Sequence, residues 1–280
     1  MQGVLLLAHG APERVEDVAE YLSHVRGGQP VSPRVLEEVR SRYAAIGGSS
    51  PLTKWTRAQA EALQASLGIP VFFGMRNWHP FVKESMEQAR AGGIERLACI
   101  CLAPQFSEMS IGIYMKHAQA AAEGIALVWA HSYHEEPALL AAFAERLAGV
   151  SGRVLFTAHS LPAPNERYER EARATAAGIA RTAGIADWDF AFQSQGMSGG
   201  EWLGPTVESC LDRYAAGGVR EVTLQPVGFV CDHVEILYDV DIHFREYAAA
   251  RGITLRRPES LNGSPEFTAA LAEVARKCLQ

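Results

Sequence analysis

Short apolar runs alternate with amphipathic stretches along most of the 280 residues. Apolar runs predict strands near Val4–Ala8, Val71–Met75, Leu97–Ala103 and Leu127–His131. A second set is expected near Val154–Ala158, Asp189–Gln193, Glu221–Pro226 and Ile253–Arg256. Between them apolar residues recur at helical spacing, as in Val15, Val18, Leu22 and Val25, then Val35, Val39 and Tyr43. The last helix should start at Ser264-Pro265, a cap followed by proline in the first turn. It should carry Phe267, Leu271, Val274 and Cys278 on one side. Two sets of four strands with helices between them predict an α/β fold of two units, each with a four-stranded parallel sheet. No low-complexity linker divides them. The break is expected near Glu135-Glu136-Pro137, giving units 1–136 and 137–280.

The pattern contains an echo. Val4-Leu5-Leu6-Leu7-Ala8-His9-Gly10-Ala11-Pro12 recurs as Val154-Leu155-Phe156-Thr157-Ala158-His159-Ser160-Leu161-Pro162, with the two histidines 150 residues apart. Each histidine ends an apolar run, just before a proline-containing turn. In open α/β sheets that is the carboxyl edge of a strand, where ligands bind. A duplicated fold would put both imidazoles on facing edges of one cleft. Imidazole binds metals and titrates near neutrality, so the cleft is a candidate for metal or proton chemistry.

Composition narrows the class. An apolar content of 48% and a charged content of 21% fit a globular chain with a sizeable core. The net charge of −6 gives no footprint for nucleic acid and disfavours anionic membrane surfaces. No apolar run approaches the roughly 18 residues of a membrane span, and the first residues lack a signal-peptide pattern. The expected location is the cytoplasm, and with no evident dimerisation element the expected state is a monomer. Cys99, Cys101, Cys210, Cys231 and Cys278 form no C-x-x-C pair, and they are expected to be reduced, mostly in the core. No set suits an iron–sulfur cluster.

A second motif begins at Asp232. Glu235, Asp239 and His243 recur every four residues, which on an α-helix makes a polar stripe drifting about 40° per step. Ile236, Val240 and Phe244 run alongside. Such a stripe is ordinarily a solvated face. Here it follows an apolar strand and the turn Pro226–Val230, so acids and a histidine could instead carry metal or protons. Residues 26–55 gather Arg26, Arg34, Arg40, Arg42, Tyr43 and Gly47-Gly48-Ser49-Ser50. Arginines and hydroxyls suit carboxylates or phosphates, although helix arginines commonly face water. His131 and His134 read as a structural loop, and His24 and His79 as surface or packing residues. His233 should point away from Glu235, because helix neighbours two apart do not share a face.

Thr157-Ala158-His159-Ser160-Leu161-Pro162, Gln193-Ser194-Gln195-Gly196, Trp202-Leu203-Gly204-Pro205 and the run from Pro226 to Glu235 together resemble the ferrochelatase family. The resemblance runs from residue 3 to about residue 279. Tyr43-Ala44-Ala45-Ile46-Gly47-Gly48-Ser49-Ser50-Pro51-Leu52, with the compact length, looks most like coproporphyrin ferrochelatases of the Gram-positive type. The resemblance implies two Rossmann-like domains around a porphyrin cleft and insertion of Fe²⁺ into coproporphyrin III, or protoporphyrin IX, with release of two protons. Fe²⁺ is then a substrate, and no permanently bound cofactor is implied. His159 matches the family's active-site histidine and Glu235 its partner glutamate, both also expected to meet the iron. Arg26, Arg42, Tyr43, Ser50 and Tyr114 fall on porphyrin-contact positions. A decarboxylating haem synthase would take the product.

Two positions depart from the family pattern. His9 stands where relatives carry tyrosine or methionine, on the ring face opposite His159, and is a candidate axial ligand that also touches the porphyrin. His243 stands where relatives often carry glutamate. Asp239 keeps the carboxylate, and His243 can still ligate. Two other readings remain open at this level: a cobalt or sirohydrochlorin chelatase, because Leu7-Ala8-His9-Gly10 also resembles those smaller enzymes, and a non-catalytic haem or porphyrin carrier on the same fold.

Overall fold

The computed structural model describes residues 1–196 and 200–280. Strands β1 (Gln2–Ala8), β2 (Val71–Met75), β3 (Arg96–Cys101) and β4 (Ala126–Ala130) form one sheet in the order β2-β1-β3-β4. Strands β5 (Arg153–His159), β6 (Trp188–Gln193), β7 (Glu221–Pro226) and β8 (Thr254–Arg256) form the other in the order β6-β5-β7-β8. Every pairing is parallel, and the two sheets share one topology. Residues 3–8 of β1 are buried without alternation. Helices cover both sides of such a sheet, so its central strand is apolar throughout.

Helices α1 (Val18–Val25), α2 (Pro33–Ala45) and α3 (Leu52–Leu67) follow β1, whereas α4 (Val82–Ala91) and α5 (Ile111–Ala120) are single crossovers. α6 (Pro137–Arg146) joins the units. In the second, α7 (Glu166–Ala183), α8 (Val207–Ala216) and α9 (Arg245–Ala249) precede β6, β7 and β8, and α10 (Pro265–Leu279) closes the chain. α10 starts as its sequence predicts: Pro265 occupies the first turn and Ser264 Oγ accepts from the Phe267 amide at 3.2 Å.

α10 crosses to the first unit. It packs on α3, α6, β3 and β4, and the Arg96 guanidinium donates to the carbonyls of Cys278 and Leu279 at 3.1 and 3.4 Å. Leu6 and Ile100 of the first sheet share one apolar cluster with Phe156 and Phe192 of the second and with Phe267 and Leu271 of α10. Close-packed interiors transmit position, so this shared core fixes the spacing of the two sheets. All five cysteine thiols are free, four of them buried, and Cys99 and Cys101 lie in one cluster as their alternation predicts. Among the described residues no helix is long and apolar enough to cross a membrane.

One element departs from its expected form. The spacing of Glu235, Asp239 and His243 predicts an α-helix, but Glu235–Phe244 is a ten-residue π-helix, bonded i→i+5. Two of its carboxylates are held from outside the segment. Asp239 is held by the Ser194 hydroxyl and Asp241 by the Arg257 guanidinium, both from other parts of the fold. No local propensity encodes those contacts.

Candidate active site

Each sheet reverses its winding beside its first strand, between β1 and β3 and between β5 and β7. Crevices outside the carboxyl ends of strands at such switch points are the binding places of this architecture. The two crevices merge into one cleft of about 280 Å³. His9, just past the end of β1, and His159, at the end of β5, both line it, as the echo predicts. Glycine permits both turns. Gly10 has φ +86°, and a Cβ at Gly228 would come within 3.1 Å of the Ala158 Cβ, so the loop after β7 can press against the end of β5.

That loop leads into the wide helix and delivers Glu235 to His159. Glu235 Oε2 lies 3.0 Å from His159 Nδ1. About a third of each side chain, 31% and 36%, still faces the cleft. Burial alone would lower the pKa of His159, but the charge and hydrogen bond of Glu235, helped by Asp239, raise it above its ordinary value. Burial alone would raise the pKa of Glu235, yet His159, His233 and His9 hold it down at about 2. The arrangement is an imidazole oriented by a carboxylate. When Nδ1 carries the hydrogen, Nε2 keeps its lone pair.

His9 has the opposite electrostatics. Packing in the cleft, then the Arg76 guanidinium, lower its pKa to about 3, so the imidazole is neutral. The Asn77 side-chain amide lies 3.1 Å from Nε2 and 3.4 Å from Nδ1.

The other sequence-predicted residues divide. Tyr43 and Tyr114 are buried and line the cleft. The Tyr43 hydroxyl has no hydrogen-bond partner there. Burial raises both phenol pKa values, so both are donors. Arg26 is exposed at the end of α1 and Arg42 lies on α2; neither side chain lines the cleft. Arg42 pairs with Glu38 at 2.7 Å, approaches Asp239 at 3.6 Å and lies over the Tyr238 ring. Ser50 is buried and accepts from the Leu52 amide at 3.3 Å, at the start of α3. Asp239 is buried; burial raises its pKa, opposed by the Ser194 hydroxyl. His243 is half exposed and lies 3.4 Å from Glu208, away from the cleft. The stripe therefore divides: Glu235 lines the cleft, Asp239 is packed inside and His243 sits at the surface. Among the described residues no three His, Cys, Asp or Glu groups converge as a metal cage.

Two cleft residues escape the sequence reading. Arg76 follows β2, lies over the Tyr114 ring at 5.7 Å and pairs with no carboxylate among the described residues. Its signal was available, because Met75-Arg76 is also a strand end. His233 lines the cleft instead of pointing away, packed edge-on against Phe229 at 4.4 Å. It precedes the helix, so the helical rule for side-chain direction does not apply to it. Its Nδ1 is buried with no partner among the described residues. Of the other histidines, His79 pairs with Glu84, and His134 joins Ser132 and Glu171 in a hydrogen-bonded loop.

Comparison with known proteins places the chain in a family. The family model described as Ferrochelatase matches residues 1–279. A protein of Acidobacterium capsulatum named ferrochelatase is 46% identical, over 99% of this chain and 94% of its own length. A Geobacillus protein named coproporphyrin III ferrochelatase is 34% identical, over 98% of this chain and 97% of its own length. Among solved structures, the sirohydrochlorin chelatase SirB of Bacillus subtilis subspecies spizizenii, in complex with cobalt, superposes with a TM-score of 0.63. It covers 99% of this chain and 94% of its own at 11% identity, a likeness of fold.

Proposed function

The chain belongs to the ferrochelatase family, enzymes of haem biosynthesis, and from that premise we propose that it inserts Fe²⁺ into coproporphyrin III, with His159 and Glu235 as the catalytic pair. The single observation that carries this reading is the 3.0 Å contact between His159 and Glu235 on the wall of the cleft. The balance of the reaction explains why such a pair is needed. Free-base porphyrin and Fe²⁺ give iron-porphyrin and two protons. Two N–H bonds break as the Fe–N bonds form, and no electron is exchanged. The departing protons need an acceptor against the ring. Neutral His159 can take the two protons in turn at Nε2 and pass each to water through its exposed side, and the Glu235 carboxylate stabilises the imidazolium each time. Iron, as substrate, can exchange water for imidazole and carboxylate before it enters the ring.

The apolar walls suit the flat face of a macrocycle and the polar groups its acidic edge. Among the described residues the Tyr43 phenol is unsatisfied and the Arg76 guanidinium pairs with no carboxylate, and both are fit to bind carboxylates. Arg26 just past α1 and Arg42 on α2 lie outside the cleft wall, and as exposed or half-exposed cations they are candidates for propionates that project from a bound ring. Four propionates can use that many cations better than two, which supports coproporphyrin over protoporphyrin. His9 would meet the metal from the face opposite His159. The decisive assay follows Fe²⁺ insertion by absorbance into coproporphyrin III, protoporphyrin IX and sirohydrochlorin in parallel. The highest kcat/KM is expected for coproporphyrin III. Equal use of the two porphyrins, or preference for sirohydrochlorin, overturns the substrate assignment.

A further inference from the structure

Glu235 reaches His159 from a helix with an uncommon hydrogen-bond pattern, and something must hold that pattern. Arg257, just past β8, is nine-tenths buried and lies outside the cleft. Its guanidinium grips Asp241 of the wide helix with two bonds, Nε to Oδ1 at 2.9 Å and Nη2 to Oδ2 at 2.7 Å. Nη1 reaches Asp232, which precedes the helix, at 3.2 Å. The same Asp232 accepts from Ser260 Oγ at 2.7 Å and from Asn262 Nδ2 at 3.1 Å, and its amide donates to Asn262 Oδ1 at 2.9 Å. Asn262 has φ +49°, a left-handed backbone that asparagine tolerates better than most residues. Its carbonyl accepts from Gln59 Nε2 of α3 at 2.7 Å. One planar cation thus brackets the start and the middle of the helix, and the chain of bonds runs on to the first unit.

We propose that Arg257 is a positioning residue: by clamping Asp232 and Asp241 it holds the wide helix in the shape that brings Glu235 onto His159. The inference rests on the catalytic reading of Glu235 given above. A bidentate fork fixes both position and plane, which a lysine ammonium cannot do. Partners one step removed from reacting groups commonly matter 10- to 100-fold, because small misplacements are costly.

The test compares Arg257→Lys with wild type by insertion kinetics, porphyrin binding from fluorescence quenching, and thermal melting. The expected result is a folded protein whose kcat falls about 10- to 100-fold while KM and porphyrin affinity stay within about twofold. In a Glu235→Gln background the same change should cost less than about threefold, because a residue that acts through Glu235 has nothing left to position. Should Arg257→Lys fail to fold, Asp241→Asn carries the same comparison, leaving Arg257 its contact with Asp232. A folded variant with unchanged kcat, a parallel change in KM, or a full additive loss on Glu235→Gln overturns the proposal. If His159→Ala inserts iron normally, the catalytic reading falls and this inference with it. A dead His159→Ala beside an undisturbed Arg257→Lys overturns this inference alone.

Discussion

Glu235 and His159 meet at 3.0 Å although they are 76 residues apart and arrive from different elements, one from a π-helix and one from a strand end. The contact divides the labour of the site. The carboxylate orients the ring and the ring presents its other nitrogen. Removing the imidazole removes the proton acceptor but leaves the apolar walls, Tyr43 and Arg76 in place. His159→Ala should therefore lose about 10²–10⁴-fold in insertion rate while porphyrin binding changes little. Absorbance kinetics and fluorescence titration on the same preparation check both halves. Insertion near the wild-type rate would remove His159 from the chemistry.

The same pair sets a pH dependence. Glu235 is depressed from 4.5 to about 2, so its contribution to stability is present above pH 4.5 and is lost as pH falls towards 2. His159 is raised above 6.5, so its contribution is present below pH 6.5 and is lost as pH rises through the raised value. Both contributions are whole only between about pH 4.5 and 6.5. The melting temperature of wild type relative to Glu235→Gln should differ most in that window and converge on either side. A difference that stays constant from pH 4 to pH 9 would show that the pair carries no such linkage.

Much of this was legible in the chain because it was written locally. Apolar runs gave eight strands in two sets, the cap Ser264-Pro265 marked the last helix, and the echo placed His9 and His159 on one cleft. What escaped was set by contacts distant in sequence. The π-helix is contacted by Ser194 and Arg257, which are distant in sequence, and periodicity alone predicted an α-helix and a continuous stripe of Glu235, Asp239 and His243. α10 crosses to the first sheet because an apolar face does not name its partner. Arg76 obeys the same strand-end rule as the two histidines, but no second copy of its motif singles it out.

Arg76 is the cation held within the cleft wall, stacked on Tyr114 and without a carboxylate partner among the described residues. A charge-assisted hydrogen bond contributes about 1.5–3 kcal/mol, so Arg76→Ala should raise KM for coproporphyrin III by about 10- to 100-fold. The tetramethyl ester of the same porphyrin isolates the cause. Wild type should discriminate strongly against the ester, and Arg76→Ala should lose most of that discrimination. An equal rise in KM for acid and ester would mean that Arg76 shapes the cleft instead of binding a propionate.

His9 yields the sharpest spectroscopic prediction. The cleft and Arg76 keep its ring neutral, with a pKa of about 3, so protons do not compete for its lone pair at working pH. A neutral imidazole ligates ferrous or ferric iron directly, whereas a tyrosine in its place would have to lose a proton to ligate strongly. One ring nitrogen is now engaged by Asn77 at 3.1 Å, so ligation must either displace that amide or turn its oxygen towards the ring N–H. The iron-coproporphyrin complex should therefore show a histidine-ligated resonance Raman spectrum. His9→Ala should abolish that signature and speed product release while leaving most of the insertion rate intact. Asn77→Leu should keep the signature, because the amide competes for the ring and supplies no ligand of its own. Identical spectra for wild type and His9→Ala would leave His9 as a packed strand-end residue, with the fifth coordination site filled by some other group.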